Sequence, residues 1–122
     1  MTLARLSLEK KDEYLAFREL RRRGHVILQR RFRTRFGEID IIARDSDTLV
    51  FIEVKTRWSG RFGGTVAAVY FRKQRRLINM ARSYLMGLQG IEPPCWFDVV
   101  GVALTTVARP LVDVIVDAFE VS

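Results

Sequence analysis

Two apolar segments that carry acidic residues constrain this chain most strongly. The first is residues 37–42 (Gly-Glu-Ile-Asp-Ile-Ile) and the second is residues 51–57 (Phe-Ile-Glu-Val-Lys-Thr-Arg). Asp45-Ser46-Asp47 lies between them and is typical of a turn, so the segments are predicted to form a β-hairpin. Buried carboxylates need partners, because an isolated charge in an apolar environment is strongly disfavoured.

Strand periodicity indicates which side chains of the hairpin meet. Successive side chains point to opposite faces of a strand. Glu38 and Asp40 are therefore expected to share one face. Ile39 and Ile41 are expected together on the opposite face. The same rule places Glu53 and Lys55 of the second segment on one face.

The register of the hairpin brings two distant acids together. If a four-residue loop joins the strands, Arg44 pairs with Leu49. Counting back along the ladder then places Asp40 opposite Glu53, with Lys55 next to Glu53 on the same face. Directly opposed side chains have Cβ atoms about 5 Å apart. Carboxylates that close repel each other unless a proton or a cation lies between them.

The composition limits which metal such a pair would hold. The chain has one Cys and one His, so carboxylates must supply the ligands, which favours Mg²⁺ or Mn²⁺. An ion held by Asp40 and Glu53 would polarise a phosphodiester oxygen and activate a water molecule. Lys55 would stabilise charge in the transition state. The pattern thus predicts hydrolysis of a nucleic-acid phosphodiester, although Glu53 and Lys55 could instead form a plain salt bridge on a solvated sheet face.

The order of predicted elements indicates the fold class. An α/β fold is expected, with a mixed five-stranded sheet flanked by helices in the order α-β-β-β-α-β-β and with one domain over residues 1–122. The helices are predicted at residues 7–23 and 66–88, and the strands at 25–33, 37–44, 48–57, 97–104 and 111–116.

The charge is concentrated in the first two thirds of the chain. The formal net charge is +7, and residues 1–82 hold 20 of the 21 Lys and Arg residues. A nucleic acid is the partner that such a surface favours, and a plain solvated basic face is the alternative. The arginines predicted to contact phosphates are Arg22, Arg23, Arg31, Arg33 and Arg57.

The sequence also predicts a cytoplasmic protein without membrane association. It contains no apolar run of the roughly 18 residues needed to span a bilayer. Residues 1–14 are interrupted by charges and lack the apolar centre of a signal peptide.

The acids and the lysine of the hairpin carry a resemblance to known nucleases. Asp40 followed by Glu53-Val54-Lys55 resembles the PD-(D/E)XK superfamily, which has the restriction-endonuclease-like fold. More closely, the chain from about Glu13 to Phe119 resembles the bacterial YraN-type family, which is similar to archaeal Holliday-junction resolvases. The closer resemblance is carried by residues 37–40 (Gly-Glu-Ile-Asp), 50–57 (Val-Phe-Ile-Glu-Val-Lys-Thr-Arg) and 97–100 (Phe-Asp-Val-Val).

The resemblance implies a role for each of these residues. Asp40 and Glu53 would be metal ligands, the Val54 carbonyl a third ligand, and Lys55 the catalytic lysine. Glu13 matches the first-helix acid that completes the site in resolvase-like proteins. The resemblance also implies a DNA substrate such as a branched junction, with RNA left open, and a homodimer. Supporting site residues would be Glu38, Lys73 and Gln74, although Lys73 and Gln74 could also be ordinary surface residues.

Three residues depart from the pattern of the YraN-type family. Asp12 stands where Gly is usual, Arg31 where Asn is usual, and Trp96 where Arg commonly precedes Phe-Asp. None of these removes a ligand, but Arg31 and Trp96 bear on the substrate surface. A metal-dependent endonuclease is therefore the leading interpretation. A non-catalytic nucleic-acid-binding protein and a protein-interaction subunit are the alternatives.

Overall fold

The computed structural model describes residues 8–58, 71–90, 92–104 and 109–120. It has the predicted element order and a five-stranded sheet. The elements are α1 (Leu8–Arg22), β1 (Val26–Thr34), β2 (Gly37–Asp45), β3 (Thr48–Trp58), α2 (Phe71–Met86), β4 (Cys95–Leu104) and β5 (Leu111–Glu120). The α/β fold and the order α-β-β-β-α-β-β are thus confirmed.

The five strands lie side by side in chain order, and the sheet is mixed. All neighbouring strands are antiparallel except β3 and β4, which are parallel. A parallel pair needs a long crossover connection, and α2 lies within the connection here. The predicted start of this helix at residue 66 falls outside the described residues. Strand β5 runs four residues beyond the predicted end at residue 116.

Each face of the sheet packs against one helix. Leu49 and Phe51 lie in a core cluster with residues of α2, while Val50 and Ile52 lie in a second cluster with residues of α1. Strand β3 is therefore buried on both faces, which explains its continuous apolar run. In the part of the chain that the structure describes, neither helix is long and apolar enough to cross a membrane.

Aromatic contacts fasten α2 to the sheet. The ring of Tyr84 meets Phe32 edge-on at 5.3 Å and Phe51 at 5.9 Å between centroids. Phe51 also lies 5.3 Å from Phe97 on the neighbouring strand. About one turn earlier in the helix, the Met80 sulfur lies 3.6 Å from the point where a Cβ on Gly37 would stand. The helix thus passes close to the start of β2.

The outer strand β5 contains a bulge opposite a buried acid. The register between β4 and β5 shifts between Phe97 and Val99. Asp98 is 1% exposed, and its carboxylate accepts a hydrogen bond of 2.9 Å from the N–H of Asp117. Asp117 has a φ of 51°, in the left-handed region that Asp adopts more readily than most residues. The carboxylate of Asp98 therefore stabilises the backbone conformation of the bulge.

Removal of the central aromatic ring should be strongly destabilising. We expect Phe51→Ala to lower the free energy of unfolding by about 3–5 kcal/mol, because it leaves a cavity between α2 and the sheet. Phe36 is 41% exposed, so Phe36→Ala should change stability by less than about 1 kcal/mol. Urea titrations of both variants check this. Equal losses would contradict the packing described here.

Candidate metal and catalytic site

An open cavity of about 450 Å³ lies where β2 and β3 meet α1. Most of the predicted site residues come together here, although they come from separate elements. Helix α1 supplies Glu13, β2 supplies Asp40, and β3 supplies Glu53. Among the described residues, the lining consists of Asp12, Glu13, Arg31, Arg33, Glu38, Asp40, Glu53, Val54 and Thr56.

The predicted register of the hairpin is confirmed. Arg44 pairs with Leu49, and pairing runs to Ile41 with Ile52, one step before Asp40 and Glu53. The turn is tighter than predicted, because Asp45 also pairs with Thr48. Two residues therefore form the turn in place of four, which leaves the register unchanged.

The expected strict alternation of faces is wrong in β2. Ile39 packs in the cluster with α2, whereas Ile41 packs in the cluster with α1. The irregularity falls at Asp40, whose carboxylate accepts a hydrogen bond of 2.8 Å from the N–H of Val54. A side chain of β2 thus bonds the β3 amide at the point where the β2–β3 ladder ends.

Asp40 lies among other acids. One carboxylate oxygen from each of Glu13, Glu38 and Asp40 lies within 4.8 Å of the others. The pKa of Asp40 is raised from 3.8 to about 8, first by burial and next by the charge of Glu53. Glu38, predicted to be a supporting residue, therefore belongs to this cluster of three carboxylates. The predicted proximity of Glu38 and Asp40 is thus confirmed, although the strict alternation behind it fails in β2.

Glu53 is held by two lysines. Its side chain is 9% exposed, and Oε1 lies 2.6 Å from Lys73 Nζ and 3.6 Å from Lys55 Nζ. Burial of Glu53 argues against the alternative of a salt bridge on a solvated face. Lys73 is thereby placed against a site residue. Gln74 is next to it on α2. Lys55, Lys73 and Gln74 are not among the described residues that line the cavity.

The pKa values of Lys55 and Lys73 are shifted in opposite directions. Burial lowers the pKa of Lys55, and the neighbouring charge of Lys73 lowers it further. Burial also opposes the charged form of Lys73, but the hydrogen bond to Glu53 outweighs this and its pKa is raised. Lys55 is therefore the lysine that releases a proton more readily.

The arginines predicted to bind phosphates have different surroundings. Arg31 donates two hydrogen bonds to Glu13, of 3.1 and 2.9 Å. Arg33 is 73% exposed on its side chain, with Nε 3.4 Å from Glu38. Arg22 and Arg23 are not among the described residues that line the cavity, and they pair with Glu19 at 2.6 and 3.1 Å. The side chain of Arg57 lies outside the described part of the structure.

Sequence reasoning missed a contact between α1 and β3 in this cavity. Asp12 is 2% exposed, and its carboxylate accepts a hydrogen bond from the hydroxyl of Thr56. This bond ties the helix that carries Glu13 to the strand that carries Glu53. The only sequence signal was that Asp12 departs from the usual Gly.

Comparisons with known proteins extend over the whole site. Residues 12–102 match the model of a family described as uncharacterised protein family UPF0102. A UPF0102 protein of Geobacter metallireducens is 41% identical over 122 residues, which cover 100% of this chain and 99% of that protein. One of Thermodesulfovibrio yellowstonii is 44% identical over 100 residues, covering 82% and 88%. One of Nitrosomonas europaea is 53% identical over 74 residues, covering 61% and 62%.

The raised pKa of Asp40 predicts a pH dependence of stability. Between about pH 4 and pH 8 the folded chain keeps the Asp40 proton while the unfolded chain loses it. Stability without divalent ions should therefore fall as pH rises through this window, by more than about 1 kcal/mol. Asp40→Asn should remove this slope and stabilise the protein at pH 8. Urea unfolding in EDTA from pH 5 to pH 8 measures both.

A turn aspartate provides the control for this experiment. Asp47 is exposed, so Asp47→Asn should leave the wild-type slope in place. A wild-type slope that persists in Asp40→Asn would show that other groups cause it.

Proposed function

The chain belongs to the uncharacterised protein family UPF0102, and on this premise we propose that it is a metal-dependent endonuclease of the PD-(D/E)XK superfamily. Its substrate would be DNA, with branched DNA favoured by the resemblance to junction resolvases. The observation that carries the proposal is that Asp40 and Glu53 line one cavity where β2 and β3 separate, with Lys55 Nζ 3.6 Å from Glu53. These residues have the types and order of that superfamily.

The donor set fits a hard divalent ion. All candidate side-chain ligands are carboxylates, and burial together with the charge of Glu53 raises the pKa of Asp40. A bound Mg²⁺ or Mn²⁺ would polarise a phosphodiester oxygen and lower the pKa of a bound water molecule. Asp40 and Glu53 would hold it, with the Val54 carbonyl and Glu13 as the further ligands that the resemblance implies.

The chain's own groups would prepare the site for hydrolysis. The N–H of Val54 orients the carboxylate of Asp40, and Lys73 orients that of Glu53. Lys55 has a lowered pKa, so it is suited to accept a proton from the attacking water or to donate a hydrogen bond to the phosphoryl oxygens. Arg33, exposed at the cavity, would contact a phosphate of the substrate.

Cleavage assays test the proposal directly. Linear, nicked, flapped and four-way DNA would each be incubated with Mg²⁺ or Mn²⁺. We expect cleavage of at least one substrate, and a loss of at least 100-fold in Lys55→Ala, since removal of one transition-state donor typically costs that much. Lys11 is exposed on α1, and Lys11→Ala should retain full activity. Circular dichroism verifies that both variants are folded.

Two outcomes would overturn the nuclease proposal. One is the absence of cleavage with every substrate and both metals. The other is equal activity of Lys55→Ala and the wild type, which would assign the cleavage to a contaminant or to another site.

A non-catalytic nucleic-acid-binding protein is the second candidate. The observation that favours it is internal pairing of the acids, since Glu13 is bound by Arg31 and Glu53 by Lys73. Such a protein would bind DNA with a salt-sensitive affinity that survives Lys55→Ala. A protein-interaction subunit would show little affinity at moderate salt.

Salt titrations identify a phosphate contact in either case. If Arg33 contacts one phosphate, Arg33→Ala should reduce the slope of log affinity against log salt by about 1. Fluorescence anisotropy with duplex and four-way DNA measures this slope. An unchanged slope would place the phosphate contacts on other residues.

A further inference from the structure

Arg31 places a permanent positive charge beside the cluster of carboxylates formed by Glu13, Glu38 and Asp40. Its guanidinium donates two hydrogen bonds to Glu13 Oε2, and Nε lies 4.0 Å from Glu38 Oε1. Glu13 is 9% exposed, so water offers it little competing solvation. Both hydrogen bonds fall on one oxygen, the kind of charge-assisted contact that is among the stronger ones in proteins.

The backbone directs Arg31 to this place. Arg31 has a φ of 54°, which is uncommon for a long side chain and persists where surrounding contacts hold it. In β1 it lies between Arg30, which pairs with Ile41, and Phe32, which pairs with Ile39. It is therefore the β1 residue that stands next to Asp40.

Arg31 and a metal ion would compete for Glu13. An arginine cannot be deprotonated at physiological pH, and the hydrogen bond to Glu13 raises its pKa further. A divalent ion using Glu13 as a ligand must displace this guanidinium or lie beside it. Asp40 is engaged by a backbone N–H and, among the described residues, by no cation in the same way. Glu53 is held by Lys73 at 2.6 Å, but an ammonium group is a point charge on a flexible stem and moves aside for an ion more readily than a guanidinium with two fixed hydrogen bonds.

We propose that Arg31 withdraws Glu13 from metal coordination, so that this chain holds one divalent ion, through Asp40 and Glu53, in place of two. The inference rests on the proposed metal site and deepens it, because it assigns the number of ions to a single side chain. Arg31 is thus a positioning residue. It acts through Glu13 and need not touch the substrate.

Manganese binding without DNA tests the inference. We expect the wild type to bind one Mn²⁺ per chain in calorimetric titrations, with free Mn²⁺ counted by electron paramagnetic resonance. Arg31→Asn frees Glu13 and suits the left-handed backbone. This variant should bind a second ion. Arg31→Asn combined with Glu13→Gln should return to the wild-type isotherm.

A neighbouring arginine controls for charge alone. Arg30 lies over the ring of Phe17, 5.0 Å from its centroid, and Arg30→Asn removes the same charge. It should leave stoichiometry unchanged and affinity within twofold. Arg31→Lys keeps the charge with fewer donors and should fall between the wild type and Arg31→Asn, so it tests the inference even if Arg31→Asn does not fold.

The possible failures are distinguishable. Binding of two ions by the wild type would overturn the role of Arg31 alone. The same conclusion would follow if the wild type, Arg31→Asn and Arg31→Lys all bound one ion with the same isotherm. An equal gain in Arg30→Asn would reduce the effect to net charge and also overturn it. Absence of Mn²⁺ binding in every variant would overturn the metal site and, with it, this inference.

Discussion

The need to balance buried negative charge governs the arrangement around the cavity. Carboxylates from α1, β2 and β3 converge there, and each would be unfavourable without a partner. The chain supplies several kinds of partner. A guanidinium binds Glu13, a backbone N–H binds Asp40, an ammonium group binds Glu53 and a hydroxyl binds Asp12. The carboxylate form of Asp40 stays disfavoured, because burial and then the charge of Glu53 raise its pKa to about 8.

This balance couples the site to the rest of the fold. Lys73 comes from α2, whose aromatic packing on the sheet fixes where that ammonium group lies. Glu13 comes from α1, which Asp12 and Thr56 hold against β3. The two helices lie on opposite faces of the sheet, so the end of β3 is where groups from both faces reach one carboxylate cluster.

The sequence predicted the hairpin and its register because both depend on local rules. A turn signal and period-two apolar residues placed Asp40 one step beyond the pair Ile41–Ile52. The same rules failed at Asp40 itself, since they assume an unbroken ladder. They could not foresee that its carboxylate would bond the N–H of Val54 and that Ile39 and Ile41 would pack in different clusters.

Long-range side-chain contacts were beyond the reach of sequence reasoning. The sequence assigns Arg31 to the nucleic-acid surface on the density of basic residues and on its departure from the family pattern. Its contact with Glu13 depends on how α1 crosses β1 and on a left-handed backbone angle. No local pattern encodes either feature. Arg22 and Arg23 were likewise grouped by composition, whereas helix geometry brings both to Glu19.

The bulge in β5 has a consequence for how molecules of this chain can associate. The last strand of a sheet offers unpaired amide and carbonyl groups that invite pairing with another molecule. At Asp117 the backbone turns away from regular geometry, and its N–H is directed to the buried Asp98. This interrupts the row of available groups although Leu111 and Val116 are exposed on the same strand. Continuous extension of the sheet by a second molecule along β5 is therefore unfavourable. The bulge thus protects an edge with exposed apolar side chains from aggregation.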